Sequence, residues 1–222
     1  MIRHDDLPIV LASASPRRRA ILSELGLAFE AREPQGVDES SVEGTAVEVS
    51  TALALAKARA VFARSPGSAI VIGCDTVVAL PETSGAHALV ETVLGKPRDD
   101  DDAREILRRL SGRVHHVVSG LAVVTPLAET VVSETSEVEF RELDERAIEA
   151  YIATGDHRGK AGAYGIQSEG RRLVAGFRGC YYNIVGLPWR RLAALLPAGI
   201  IAKRCDCGTH PLQRGERGCD RS

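Results

Sequence analysis

The sequence predicts a single α/β domain built on a mixed β-sheet. Apolar runs of strand type alternate with capped helical segments along residues 8–196. No internal repeat is present. The order βαα-β-αββ-α-β fits neither a plain doubly wound sheet nor a helical bundle. At 222 residues, 44% of them hydrophobic, the chain has enough apolar material for a sizeable core.

Each element follows from local signals. Residues 8–12 (PIVLA) read as a short buried strand. It runs directly into a helix over 16–25, with Ser15 at the N-cap, Pro16 at the first helical position and Gly26 closing it. An Ala-rich helix over 46–63 carries Lys57 and Arg59, and AIVIGC (69–74) is a strand that DTVVAL (75–80) continues. Residues 81–93 hold Pro, Gly and Ser and read as a loop or hairpin tip. A helix over 99–110 ends at Ser111-Gly112, strands follow near 114–124 and 130–141, and a helix over 145–154 ends at Gly155. The stretch 156–188 is glycine-rich with strand-type runs, and a closing helix over 188–196 is stopped by Pro197. Beyond it the composition turns to Cys, Gly, Arg and Asp with little to bury. The expected organisation is a domain over 1–197 and a disordered extension over 198–222.

Composition excludes several classes. Lys plus Arg number 28 against 30 Asp plus Glu, a net charge of −2, so no nucleic-acid partner is expected. The apolar runs 52–63 and 69–80 are interrupted by Lys57, Arg59 and Asp75, short of a membrane span. Asp5, Asp6 and Pro8 before the first apolar stretch do not suit a secretory signal, so a cytoplasmic protein is expected. Cys74 and Cys180 read as small buried hydrophobes. Cys205, Cys207 and Cys219 cluster with His210 but match no usual metal spacing.

Four features carry chemistry. SASPRRR (13–19) starts a helix with three arginines in its first turn, where the dipole disfavours them. An anion at that helix start would offset the placement, since backbone N–H groups and guanidinium forks converge there. Solvated surface arginines are the alternative. Asp75 lies within an apolar strand, so it must be paired, metal-bound or a general base, unless it opens a turn at the strand end. Asp38-Glu39 and Gly95-Lys96-Pro97 add hard-cation ligands and a phosphate contact to that set. Asp99–Asp102 open a helix, and the dipole accounts for them without a metal. In KAGAYGIQSEG (160–170) the glycines allow close backbone approach, with Lys160 and Gln167 as polar groups; a ligand-free hairpin is the alternative. His115-His116 enter a strand with opposite orientations, one toward the core and one toward solvent. No nucleophile elbow, zinc-protease or Walker motif is present.

In that order these pieces resemble the Maf family of nucleotide pyrophosphatases. The resemblance spans residues 8–196 through LASASPRRRAIL (11–22), GVDES (36–40), LALAKARAV (53–61), IGCDTVV (72–78), LGKP (94–97), LSGRVHHVVSG (110–120), KAGAYGIQ (160–167) and GCYYNIVGLP (179–188). It implies an elongated mixed sheet flanked by helices, with a cleft between two lobes, in the ITPase-like manner. It also implies hydrolysis of a nucleoside triphosphate to the monophosphate and pyrophosphate with Mg2+ or Mn2+, and a homodimer.

Carried over by position, the resemblance makes Asp75 the catalytic proton acceptor. Arg17, Thr76 and Gln167 become substrate-choosing positions. Ser13, Arg18, Glu39, Lys57 and Lys96 line the phosphate and metal site, with Glu39 and Asp75 on the metal. AGAYGIQ is similar to the branch acting on dTTP and UTP. An enzyme for 7-methyl-GTP or for many nucleotides is one alternative, and a non-catalytic nucleotide-binding regulator of cell division is the other. Two departures stand out: Gly159 where the family has Asp before the Lys of KAG, and GCDT for GADT. The insertion over 81–93 and the tail after 197 lie outside the pattern.

Overall fold

A computed structural model describes residues 7–65, 69–84, 88–197, 200–201 and 210–214. The elements are β1 (Ile9–Ala12), α1 (Pro16–Glu24), β2 (Phe29–Arg32), α2 (Ala46–Phe62), β3 (Ile70–Ser84), β4 (Ala88–Leu94), α3 (Asp100–Leu110), β5 (Val114–Val124), β6 (Glu129–Phe140), α4 (Glu145–Ile152), β7 (Val174–Arg178), α5 (Tyr181–Val185) and α6 (Trp189–Leu195). The strands form one seven-stranded sheet in the order β2-β1-β3-β5-β6-β7, with β4 also paired to β3. β1 is parallel to β2 and β3, whereas β3–β4 and β6–β7 are antiparallel, so the sheet is mixed.

The chain divides into two compact units. One holds residues up to Thr76, Ser119–Glu134 and the segment from Gly186; the other holds Val77–Val118, Thr135–Val185 and, among its described residues, 210–214. In the first, α2 covers the strands. Val10, Ala54, Ala58, Val61, Val71 and Ala122 form its small-residue core. Glycine sets the spacing: a Cβ on Gly73 would lie 2.2 Å from the Ala54 carbonyl, and one on Gly120 2.2 Å from the Ser50 carbonyl. In the second unit, Leu80, Leu107, Leu110, Phe140, Ile148, Tyr151 and Phe177 share a larger core.

Helix ends follow the expected chemistry with one correction. Thr45 and Glu48 make a reciprocal capping box on α2. Asp99 caps α3 by accepting from the Asp102 N–H at 2.8 Å, which accounts for the acidic run. α1 ends in a Schellman motif: the Leu27 N–H reaches the Leu22 carbonyl and the Gly26 N–H that of Ser23, with Gly26 at φ +74°. Ser15 does occupy the N-cap of α1, but its side chain makes no capping bond. The Ser13 hydroxyl accepts from the Ser15 N–H at 3.1 Å instead.

Three segments differ from the sequence-based expectation. β2 went unpredicted because its side chains are exposed or half-buried and Glu30 and Arg32 pair with each other along it. The stretch 81–93 is no mere tip: β3 and β4 pair through Val78↔Leu94 and on to Glu82↔Val90. Within 156–188 only β7 is a strand; the glycines serve tight 3-10 turns over Ala161–Ala163 and Glu169–Leu173.

Part of the C-terminal stretch is ordered. Gln213 bridges Phe177 in parallel, with the Phe177 N–H donating to the Leu212 carbonyl and the Arg214 N–H to the Phe177 carbonyl. His210 stacks on Tyr181 at 4.4 Å between ring centroids. These contacts place residues 210–214 beside β7. Cys205, Cys207 and Cys219 lie outside the described residues. Among the described residues no helix is long and apolar enough to cross a membrane.

Candidate active site

The first cluster is assembled by α2 and β3. Asp75 follows Gly73 by two residues, so both face the same side of the sheet. Because glycine lets the α2 backbone close on β3 at residue 73, Lys57, three residues beyond Ala54, is carried to Asp75. The Lys57 ammonium lies 2.5 Å from Asp75 Oδ1 and 2.5 Å from Glu39 Oε1. Lys57 and Asp75 are buried while Glu39 is exposed in the loop before α2. An isolated buried ion is strongly penalised, and mutual pairing offsets that penalty here. Among the described residues, Asp75 Oδ2 accepts no hydrogen bond. One oxygen of Asp75 is thus anchored and the other is open for chemistry.

The second cluster sits at the start of α1. The Arg18 guanidinium donates to the Gly186 carbonyl at 2.8 Å, to the Ser13 hydroxyl at 3.3 Å and to Thr76 Oγ1 at 3.2 Å. Thr76 Oγ1 also lies 2.9 Å from the buried Ser119 hydroxyl. These contacts, one of them to a carbonyl far along the sequence, hold Arg18 in place at the helix start. Arg17 is half-buried, and Arg19 is exposed with a bond to the Ala14 carbonyl. The Cys74 thiol also points to the Gly186 carbonyl, at 3.2 Å. Burial pushes that thiol up, so it stays protonated as a donor.

The remaining candidates belong to the second unit. Lys96 is exposed in the loop after β4. Gln167 is exposed on the loop 160–170, in a turn closed by the Ser168 N–H on the Gly165 carbonyl at 3.2 Å. Ala163 in this loop holds φ +60°, a left-handed conformation that costs a non-glycine residue about 1 kcal/mol or more. Gly159 is at φ +67°, a region that Gly enters freely and Asp enters more readily than most residues, so the swap suits the backbone. A carboxylate for Lys160 is nevertheless present: Asp156 pairs with its ammonium. His115 is buried, bonded to the Tyr164 hydroxyl at 2.8 Å and edge-on to Phe140, while His116 meets Glu91. These orientations are the opposite pair expected, and neither histidine adjoins a nucleophile.

The structure thus joins Glu39, Lys57 and Asp75 in one cluster and Ser13, Arg18 and Thr76 in another. Consecutive residues of β3 supply one member of each. Sequence reading missed the Gly186 carbonyl, Ser119 and Asp156. For Gly186 the available signal was its place in VGLP within a matched motif, and for Asp156 the i,i+4 spacing to Lys160. Ser119 had no signal beyond its motif.

A sequence model for one family, described as Maf-like protein, matches residues 8–198. The chain belongs to this family. Relatives include a dTTP/UTP pyrophosphatase of Symbiobacterium thermophilum, 43% identical over 85% of this chain and 92% of the relative. Proteins of the same description from Nitratidesulfovibrio vulgaris and Thermococcus gammatolerans are each 46% identical, over 85% and 81% of this chain and 86% and 90% of theirs. The match to the Maf-like family contains every residue of both clusters, and it stops short of the ordered segment 210–214.

Proposed function

We propose that this Maf-like protein hydrolyses dTTP and UTP to the monophosphate and pyrophosphate. The observation that carries the reading is Asp75: a buried carboxylate with one oxygen held by Lys57 and the other unbonded among the described residues. A carboxylate so held can take a proton from an attacking water without first breaking its own bonds. The description of the relatives as dTTP/UTP pyrophosphatases supports the substrate class. Arg17, Arg18 and Lys96 supply positive charge for the triphosphate, and Gln167 offers an amide donor and acceptor to a pyrimidine edge.

The donor set also fits a divalent cation, Mg2+ or Mn2+. Glu39 and Asp75 are hard oxygen donors already drawn together around one ammonium, and a site of two carboxylates plus substrate phosphates is the usual Mg2+ arrangement. A cation held there by Glu39 and Asp75 would neutralise charge on the phosphates. Lys57 keeps the two carboxylates together before either group binds. A cytoplasmic placement belongs to the same reading.

Pyrophosphate release from a panel of triphosphates, with and without chelator, tests this reading. dTTP and UTP should exceed ATP and GTP by at least about tenfold in kcat/KM. Asp75→Asn should lower turnover about a hundredfold or more with the fold intact by circular dichroism. A profile led by a purine triphosphate, or near-normal turnover in Asp75→Asn, would remove the assignment.

A further inference from the structure

Asp156 receives more polar contacts than any neighbour in its loop, and the reaction just described does not use it. It follows α4 and has a side chain only 16% exposed. Oδ1 takes the Lys160 ammonium. Oδ2 takes the Ser168 hydroxyl at 2.7 Å, the Gly170 N–H at 3.2 Å and the Tyr151 hydroxyl at 3.3 Å. Burial alone would raise this carboxyl, but the bonds from Lys160 and Ser168, the Lys160 charge and the Gly170 amide outweigh it and hold it below its ordinary value. Burial, aided by the Asp156 charge, pushes the Tyr151 phenol up, so it remains a donor to the carboxylate.

These four donors come from both sides of one turn. Lys160 precedes the segment that carries Gln167, while Ser168 and Gly170 follow it directly. The loop is also compact: a Cβ on Gly170 would lie 2.7 Å from the Gly165 carbonyl oxygen, and one on Gly162 2.7 Å from Val78. A Cβ on Gly165 would meet the Gln167 amide nitrogen at 3.0 Å and the Lys160 ammonium at 3.1 Å, so both side chains lie over that glycine. The Gln167 amide itself makes no hydrogen bond among the described residues. The place and direction in which its side chain leaves the chain are therefore set by the backbone of a turn whose two shoulders are tied to one carboxylate.

We propose that Asp156 is a positioning residue for base choice: it clamps Lys160, Ser168 and Gly170 so that the turn presents the Gln167 side chain from one fixed position. The proposal rests on the reading of Gln167 as the residue that meets the base. It acts through Gln167 and not through the phosphates, so its loss alters which nucleotide is preferred more than how fast the bond breaks. A turn that shifts when its clamp is lost carries the amide away from the base edge and loses discrimination, because specificity of this kind depends on leaving the wrong partner's polar groups unpaired.

The test is a double-mutant cycle on selectivity, read as the ratio of kcat/KM for dTTP to that for ATP, with KM and kcat determined separately. Asp156→Asn keeps the shape and three of the four donors but removes the charge that holds Lys160. It should lower the dTTP preference about tenfold, chiefly through KM for dTTP, with Asp156→Glu recovering part of it. Gln167→Ala should lower the ratio by a similar factor, and adding Asp156→Asn to it should change the ratio no further. Ser168→Ala, which deletes the hydroxyl's bonds to Asp156, Lys160 and the Gly165 carbonyl but leaves Lys160 paired with Asp156, should shift the ratio in the same sense by less. Equal losses for dTTP and ATP in Asp156→Asn, or independent additive effects in the cycle, would overturn the positioning role while leaving Gln167 as the base reader. An unchanged ratio in Gln167→Ala would instead overturn the base reading and the proposal with it.

Discussion

Replacing Lys57 by methionine tests the charge logic of the Asp75 cluster. Met matches the length of the stem and removes the ammonium that lies 2.5 Å from both Asp75 and Glu39. The two carboxylates do not suffer equally. The Glu39 side chain is 43% exposed and can be rehydrated, so its lost contact costs little, about 0–1 kcal/mol. The Asp75 side chain is 10% exposed and is left charged in an apolar strand, for which about 3 kcal/mol is expected. At about 2–4 °C per kcal/mol for a chain of this size, Tm should fall by about 6–12 °C in metal-free buffer. Adding Asp75→Asn to Lys57→Met removes the orphaned charge and should return about 2 kcal/mol of the loss. Urea unfolding of the two single variants and the double variant measures that coupling directly. If Lys57→Met costs under about 1 kcal/mol, or the two effects add to within about 0.5 kcal/mol, the pair does not hold Asp75 as argued.

Three further outcomes follow from the same coordinates. Arg18→Ala loses donors to Gly186, Ser13 and Thr76, and at about 1–3 kcal/mol this exceeds the relief of the dipole conflict, so the urea midpoint should fall; an unchanged or higher midpoint would restore the purely electrostatic account of that helix start. Gly73→Ala puts a methyl 2.2 Å from the Ala54 carbonyl and 2.8 Å from the Ala58 methyl. It should cost about 1–3 kcal/mol by calorimetry and lower pyrophosphate release through displacement of Lys57 from Asp75; full activity would show that the close approach of α2 is dispensable. His115 is held down to about 3 by burial, aided by the neighbouring His116 charge, so the folded state resists its protonation while the unfolded chain accepts a proton below about pH 6.5. The sign is a loss of stability as pH falls from about 6.5 toward 3, at up to about 1.4 kcal/mol per pH unit, and His115→Gln should flatten that limb in urea titrations at pH 7, 6 and 5.

The sequence alone determined what depends on near neighbours. Most helix and strand positions, the close of α1 at Gly26 and the acidic start of α3 are set within a few residues and could be read before any fold was known, whereas β2, β4 and the 3-10 turns of 161–173 could not. The mixed sheet followed from element order, and the ordered run of motifs was enough to indicate the Maf-like family, because their types and spacing are properties of the chain itself.

Tertiary structure decided what depends on residues far apart. Lys57 reads as one more basic residue on an Ala-rich helix; only the approach that Gly73 permits makes it the bridge between Glu39 and Asp75. Arg18 reads in the sequence as a residue that meets an anion; only the fold shows that the Gly186 carbonyl, 168 positions away, also holds its guanidinium. Gly159 looks like a missing charge until Asp156 meets Lys160 in the turns that follow α4. The backbone hydrogen bonds that residues 212 and 214 make with Phe177 are likewise contacts that composition does not report. Local capping and periodicity are encoded in adjacent side chains, whereas the pairing of buried charges is settled only when packing removes water from around both partners.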